Sequence, residues 1–247
     1  MFLVGVVLGG VYLVGARRVH REWPMHRTVP FVLGCVVLVA AGLVPGSSFT
    51  SHMTEHVAIG MAAPLLLALG APITLALQAF GPATSQTLRS VLRSRTVRLL
   101  THPIVAWSVF GATLVVLVFS PLLEWSVRND AVHAAVHLHF LLAGSLFAAT
   151  FLAIDPIPHP LPHGARLLGV LLLVPFHAFV GVALLTARRP LFPTVYPSLS
   201  DQHSAAGVLW SSGELLTLAM GGIVFARWWA TEQRAAVRID RRLASRP

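Results

Sequence analysis

Seven apolar runs separated by arginine-rich stretches constrain this chain more than any other feature of its sequence. They cover residues 2–16, 29–45, 53–80, 102–120, 132–154, 165–186 and 204–230. About 20 helical residues cross the roughly 30 Å hydrocarbon layer of a bilayer. Hydrophobic residues make up 55% of the chain and charged residues only 11%, whereas a soluble domain carries about 25% charged residues. The runs therefore predict an all-α polytopic protein with seven transmembrane helices, forming one domain over residues 1–230.

The distribution of positive charge predicts how the helices are oriented. The basic residues number 18, all of them arginine. Most lie in the loops 17–28 and 81–101, at the start of the sixth run, and in the tail 231–247. Basic loops are retained in the cytoplasm, so we expect an outside N-terminus and a basic cytoplasmic tail. The net charge of +9 is then explained by topology and lipid contact, and no nucleic-acid partner is expected.

Two histidine pairs occur at the outer ends of predicted helices. His52 and His56 precede the third run, and His133 and His137 open the fifth. A spacing of four residues places both rings of a pair on one helix face. His139 lies two residues further and is expected to point away. His177 lies inside the sixth run, roughly 14 Å deep at 1.5 Å per residue.

These side chains predict a metal site shared between helices. Imidazole suits copper, zinc, iron and nickel, and thioether sulfur favours Cu(I). Ionisable groups inside a membrane are expensive and therefore suggest function. The expected ligands are His52, His56, His133, His137 and His177, with Met53 and Met61 as soft auxiliaries. Asp201 and Glu214 are expected to support them, Asp201 by accepting a ring N–H. The competing interpretation is that the outer histidines are simply hydrated at the headgroups.

Two other functions fit parts of the same pattern. The segment "HMTEH" matches H-x-x-E-H, the inverted zinc-protease motif, in which Glu55 would be the base. Axial histidines also serve haem, so a haem-handling or transporter-like protein remains an alternative. The lone Cys35 leaves no cysteine-based metal motif, and no catalytic nucleophile or cofactor-binding loop is evident.

Four blocks of sequence together resemble the multi-span CtaG-type cytochrome c oxidase assembly factors. They are "HMTEHVAIGMAAPLLLALGAPITLAL", "VHLHFLLAGSLFAATFLAIDPIP", "RLLGVLLLVPFHAFVGVALL" and "DQHSAAGVLWSSGE", and the likeness covers about residues 50–230. It implies a seven-helix plasma-membrane protein, not an enzyme, that helps to mature a haem-copper oxidase. It also implies the oxidase subunits as partners and copper supply as the role.

The resemblance carries over to particular positions. The family's motifs fall on His52-Met53-x-x-His56, on His133 and His137, on Pro175-x-His177-Ala178 and on Asp201-Gln202. Three departures are visible. Glu55 is not part of the family pattern and is interpreted as incidental. His203 follows the Asp-Gln pair where no histidine is expected, and "LWSSGE" replaces an expected Met–Trp pair.

Overall fold

The structure, a computed structural model, describes residues 1–19, 22–44 and 46–244, with side chains described as far as residue 238. The last three residues of the predicted basic tail, 245–247, lie outside the described residues. All regular structure in the described part of the chain is helical. The predicted all-α class is therefore confirmed.

Thirteen α-helices and one π-helical turn follow each other along these residues. They are α1 (Phe2–Arg18), α2 (Met25–Ala41), α3 (Phe49–Val57), the π-turn (Ala58–Ala62), α4 (Ala63–Leu69), α5 (Pro72–Ala79), α6 (Pro82–Leu92), α7 (Arg95–Leu100), α8 (Pro103–Val118), α9 (Leu122–Arg128), α10 (Asp130–Leu152), α11 (His163–Leu171), α12 (Val174–Thr186) and α13 (Leu199–Ala244). The predicted tail begins as a continuation of α13.

Four helical segments are long and apolar enough to cross a membrane. They are Phe49–Leu69, Asp130–Leu152, His163–Thr186 and Leu199–Arg238. The α8–α9 pair, bent by 73°, makes a fifth if it is one broken span. α1 and α2 have 17 residues each, about 26 Å at 1.5 Å per residue. A multi-pass membrane protein is thus supported, while the count of seven stays a prediction.

The π-turn between α3 and α4 follows from the proline at position 64. Proline has no N–H to donate to the carbonyl four residues back, which here belongs to Gly60. The N–H of Ala63 bonds instead to the carbonyl of Ala58, five residues back. α10 packs directly on this turn, because Gly144 leaves room for the Gly60 carbonyl that a Cβ would overlap. The contact sets the register between the two histidine-bearing segments.

Two aspartates fix opposite ends of this helical unit. Asp201 of α13 accepts hydrogen bonds at the start of α3, from Phe49 N at 2.6 Å and Thr50 Oγ1 at 2.6 Å. Asp155, after α10, does the same at the start of α5, from Thr74 N at 2.7 Å and Thr74 Oγ1 at 2.6 Å. Each carboxylate satisfies N–H groups that a helix start leaves open. The Asp201 end carries the histidine pairs, and the Asp155 end carries the basic loops.

Candidate metal centre

Four histidines from α3 and α10 converge into one cluster. The ring centroids of His52 and His56 lie 4.5 Å apart and those of His133 and His137 lie 4.1 Å apart. Across the two helices, His52 faces His133 at 5.3 Å and His56 faces His137 at 5.1 Å. His52 and His56 are 1% exposed and His137 is 5% exposed. His133 is half-buried. The two pairs predicted from sequence therefore form one largely buried group, which we call the four-histidine cluster.

The hydrogen bonding of the cluster is incomplete among the described residues. The Nε2 atoms of His52 and His56 lie 2.8 Å apart, so one ring can donate to the other. His56 Nδ1, His133 Nε2 and His137 Nε2 are buried and without a protein partner. A buried polar atom left unpaired is expensive. Three ring nitrogens are thus available for a ligand.

Glu55 belongs to this site, contrary to its interpretation as incidental. Its Oε1 lies 3.6 Å from His137 Nδ1. One ligand atom each from His52, Glu55 and His133 lie within 4.8 Å of one another, as a shared metal ion requires. Glu55 is 7% exposed, so its carboxylate faces the cluster rather than bulk water. The H-x-x-E-H spacing was the signal for it, since residues 52, 55 and 56 share a helix face.

Aromatic side chains close the cluster on two sides. The Phe140 ring lies 4.5 Å from that of His56, and the Tyr196 ring lies 5.8 Å from that of His52. Tyr196 sits in the segment between α12 and α13, and nothing in the sequence pattern singled it out. Burial, together with the charges of Asp201 and Glu55, raises the pKa of Tyr196 to about 12. The phenol therefore stays neutral and can act as a hydrogen-bond donor.

The side chains of Asp201 and Gln202 form hydrogen bonds with backbone groups of neighbouring segments. Asp201 was expected to accept a histidine N–H, but its recorded partners are Phe49 and Thr50 at the start of α3. Gln202 accepts from Leu191 N at 2.7 Å and donates to Leu184 O at 3.0 Å. Helix starts attract carboxylates strongly, which explains the difference. The pair holds α3 and the segment bearing Tyr196 in place around the cluster.

His177 lies beyond the cluster, across a narrow cavity. The cavity has a volume of about 30 Å³ and is lined by His56, Met61, Phe176 and His177 among others. A water molecule needs about 10–15 Å³, so the space suits one or two waters. His177 Nδ1 is buried without a protein partner among the described residues. The structure thus brings Met61 and His177 to a shared cavity next to His56, rather than into the ring of four.

The other predicted residues lie elsewhere. Met53 is fully buried in the apolar core. Glu214 has one buried, unpartnered oxygen on α13, as does Thr217 one turn further along. His139 points to α8, where its Nε2 lies 2.9 Å from Thr113 Oγ1, in line with the expectation that it faces away. His203 is 3.4 Å from the carbonyl of Ala187.

The donor set fits a transition-metal ion. Imidazole nitrogens and a carboxylate are ligands for copper and zinc, and a nearby thioether shifts preference toward Cu(I). The buried, unpartnered nitrogens are the atoms that such an ion would use. The residues that would hold it are His52, Glu55 and His133, whose ligand atoms lie within 4.8 Å of one another, together with His56 and His137, which carry unpartnered ring nitrogens. No geometry for the bound ion follows from the protein alone.

The comparisons with known proteins agree with this architecture. Residues 10–231 match the family model of the cytochrome c oxidase caa3 assembly factor. Uncharacterized proteins of Mycobacterium leprae, Mycobacterium bovis and Mycobacterium tuberculosis are each 35% identical over 96% of this chain. The chain spans only 40% of the length of each of these relatives. No solved structure matches it. Because the family model covers nearly all of the helical unit, including both histidine pairs, the chain belongs to the cytochrome c oxidase caa3 assembly factor family.

Proposed function

We propose that this protein binds copper in the four-histidine cluster and supplies it to a haem-copper cytochrome c oxidase during assembly. Copper is cargo in this proposal, and the protein is not an enzyme. The observation that carries it is the convergence of four imidazoles, three of them buried and that of His133 half-buried, with three unpartnered ring nitrogens. Family membership supplies the link to the oxidase.

The character of the site suits exchange rather than permanent retention. The ligands come from two helices, α3 and α10, and the segment bearing Tyr196 covers them. Imidazole binds copper, and the thioether of Met61, which lines the cavity beside His56, favours Cu(I). His177, across the cavity, would offer a further position for the ion during transfer.

The proposal includes the predicted topology. Seven spans in the plasma membrane, with the N-terminus outside, place the four-histidine cluster at the outer face. The contacts of α1 support this topology. Its first residue, Phe2, packs near Gly42 at the end of α2, and Tyr12 further along donates a hydrogen bond to the carbonyl of Gly70. α1 and α2 therefore run alongside the bundle from one end to the other. Their 17 residues match the lower limit for a spanning helix.

Metal analysis of purified protein tests the site. We expect stoichiometric copper in the wild type and little in His56→Ala/His137→Ala. His139→Ala is the matched control, because it removes an imidazole from α10 that contacts Thr113 instead of the cluster. Equal copper in the double variant and the control would refute the site.

Deletion of the gene tests the role. We expect loss of assembled oxidase and of its copper-dependent absorption, with partial rescue by added copper. The double variant should behave as the deletion and His139→Ala as the wild type. Normal oxidase in the deletion strain would refute the assembly role while leaving copper binding intact.

One observation keeps the zinc-protease alternative testable. Glu55 lies within the ligand group, as the base of an H-x-x-E-H site would. Zinc-dependent peptide hydrolysis that Glu55→Gln abolishes would favour that function over copper supply. The haem alternative predicts a Soret band in the purified protein, which bound Cu(I) does not produce.

A further inference from the structure

A basic groove lies at the end of the bundle away from the histidines. It is lined by Arg89 on α6, Arg93 at the end of that helix, Arg98 on α7, and His159. Its volume is about 790 Å³. α6 and α7 follow the candidate membrane span Phe49–Leu69 after the short helix α5, and His159 follows the span Asp130–Leu152. The arginines and His159 of the groove therefore lie outside the segments that are long and apolar enough to span a membrane, as expected of a site at the lipid headgroups.

Among the residues that the structure describes, no carboxylate forms a recorded ion pair with the arginines of this groove. The ion pair recorded among the described residues joins His137 to Glu55, at the opposite end. Asp155 is the buried carboxylate nearest in sequence to His159 of the groove. It accepts hydrogen bonds from Ile73 and Thr74 instead of pairing with the arginines. Three like charges around one groove repel each other. An anion placed between them would relieve that repulsion.

The apolar part of the lining indicates what kind of anion fits. Leu77, Leu92 and Ile157 line the same groove as the arginines. A guanidinium group offers a planar fork of donors that matches phosphate oxygens. Apolar side chains beside it match glycerol and the first acyl carbons. Basic pockets next to transmembrane helices bind anionic lipid headgroups by this combination.

We propose that this groove binds the phosphate group of an anionic phospholipid. Arg89, Arg93 and Arg98 hold the phosphate oxygens, and Leu77 and Ile157 contact the acyl chains. The bound lipid fastens α6 and α7, which have no buried residues of their own, to the membrane surface. This site is separate from the four-histidine cluster and does not depend on copper.

Titration of the full chain in detergent with acyl-labelled fluorescent lipid tests the proposal. Fluorescence anisotropy should show tighter binding of phosphatidylglycerol than of phosphatidylcholine. Arg89→Gln/Arg93→Gln/Arg98→Gln should weaken phosphatidylglycerol binding by at least about tenfold, because each basic residue contributes strongly at an anionic lipid surface. The matched control is Arg95→Gln/Arg234→Gln/Arg238→Gln, which removes the same charge from exposed positions outside the groove.

Three results would overturn the proposal. Equal weakening in both triple variants would mean general charge attraction without a site. Displacement of the lipid by excess inorganic phosphate would mean a site for free phosphate. Equal affinity for the two lipids would mean no headgroup recognition. Circular dichroism and gel filtration of both triple variants check that each is folded.

Discussion

At the scale of single residues, Glu55 changes the chemistry that the histidines offer. Neutral imidazoles leave the full positive charge of a bound ion in a buried site, where an unpaired charge is expensive. A carboxylate whose Oε1 lies 3.6 Å from His137 Nδ1 balances that charge. If the cluster binds copper as proposed, we therefore expect Glu55 to stabilise the bound state, whether or not it contacts the ion itself.

Replacement of Glu55 by glutamine tests this role. Glu55→Gln keeps the shape and removes the charge, so copper affinity should fall by about 10- to 100-fold, the usual range for groups that support metal ligands. Competition with a Cu(I) chelator measures the affinity. Thr54→Ala, an exposed neighbour whose hydroxyl bonds to the Thr50 carbonyl, is the control. Unchanged affinity in Glu55→Gln would show that the carboxylate is incidental.

Replacement of Asp201 is expected to lower the stability of the fold, and to affect copper binding only through that loss. Its carboxylate accepts hydrogen bonds from Phe49 N, Thr50 N and Thr50 Oγ1. Asp201→Ala removes these three bonds from the start of α3 and leaves only the Ser48 cap. Loss of hydrogen bonds to a charged group should lower the free energy of unfolding by about 2 kcal/mol. Thermal unfolding in detergent measures this against Ser200→Ala, an exposed neighbour. A variant as stable as the control would contradict the capping role.

At the scale of helices, the π-turn and α10 determine whether the cluster exists. Gly144 meets the Gly60 carbonyl so closely that a Cβ would overlap it. Small residues permit such backbone approach between membrane helices. His56 lies one turn before Gly60, and His137 lies two turns before Gly144. The distance between the two histidine pairs thus depends on this glycine contact.

Gly144→Ala should therefore weaken both the fold and the site. Overpacking of this kind destabilises by about 1–3 kcal/mol, and a displaced α10 should also lose copper. Gly207→Ala on α13 is the control, since a Cβ there meets open space and alanine favours a helix. Thermal unfolding and metal content are measured on both variants. Normal copper binding by Gly144→Ala would contradict the dependence of the cluster on this contact.

At the scale of the whole molecule, the two ends differ sharply in composition. One end carries the four-histidine cluster, and the other carries the basic groove and the junction where Arg227 donates to the Ala153 carbonyl. This polarity is what the positive-inside rule requires. The predicted orientation would place the four-histidine cluster outside and the arginines in the cytoplasm.

Reporter fusions test that orientation. Alkaline phosphatase should be active when fused within residues 187–198 and inactive within residues 81–101, and a fluorescent protein at the C-terminus should fold in the cytoplasm. The reason is that basic segments are not translocated readily. Active alkaline phosphatase within residues 81–101 would reverse the topology and move the cluster to the cytoplasmic side.

The amino-acid sequence alone was enough to predict a membrane protein and the histidine pairs of the candidate site. Apolar runs with few charges leave a membrane as the only suitable solvent, and helical periodicity alone pairs His52 with His56 and His133 with His137. The resemblance in four blocks led to the family that the comparison confirms. Local spacing is sufficient for these conclusions because they concern single helices.

How these residues come together depends on the packing between helices. The contact of Gly60 with Gly144 sets the register that merges the two histidine pairs. Packing also brings the Glu55 carboxylate next to His137 and separates His177 from the cluster by a cavity. Asp201 accepts a hydrogen bond at the start of α3 rather than from a histidine. These outcomes depend on distances between helices far apart in sequence, and no periodicity within one helix encodes them.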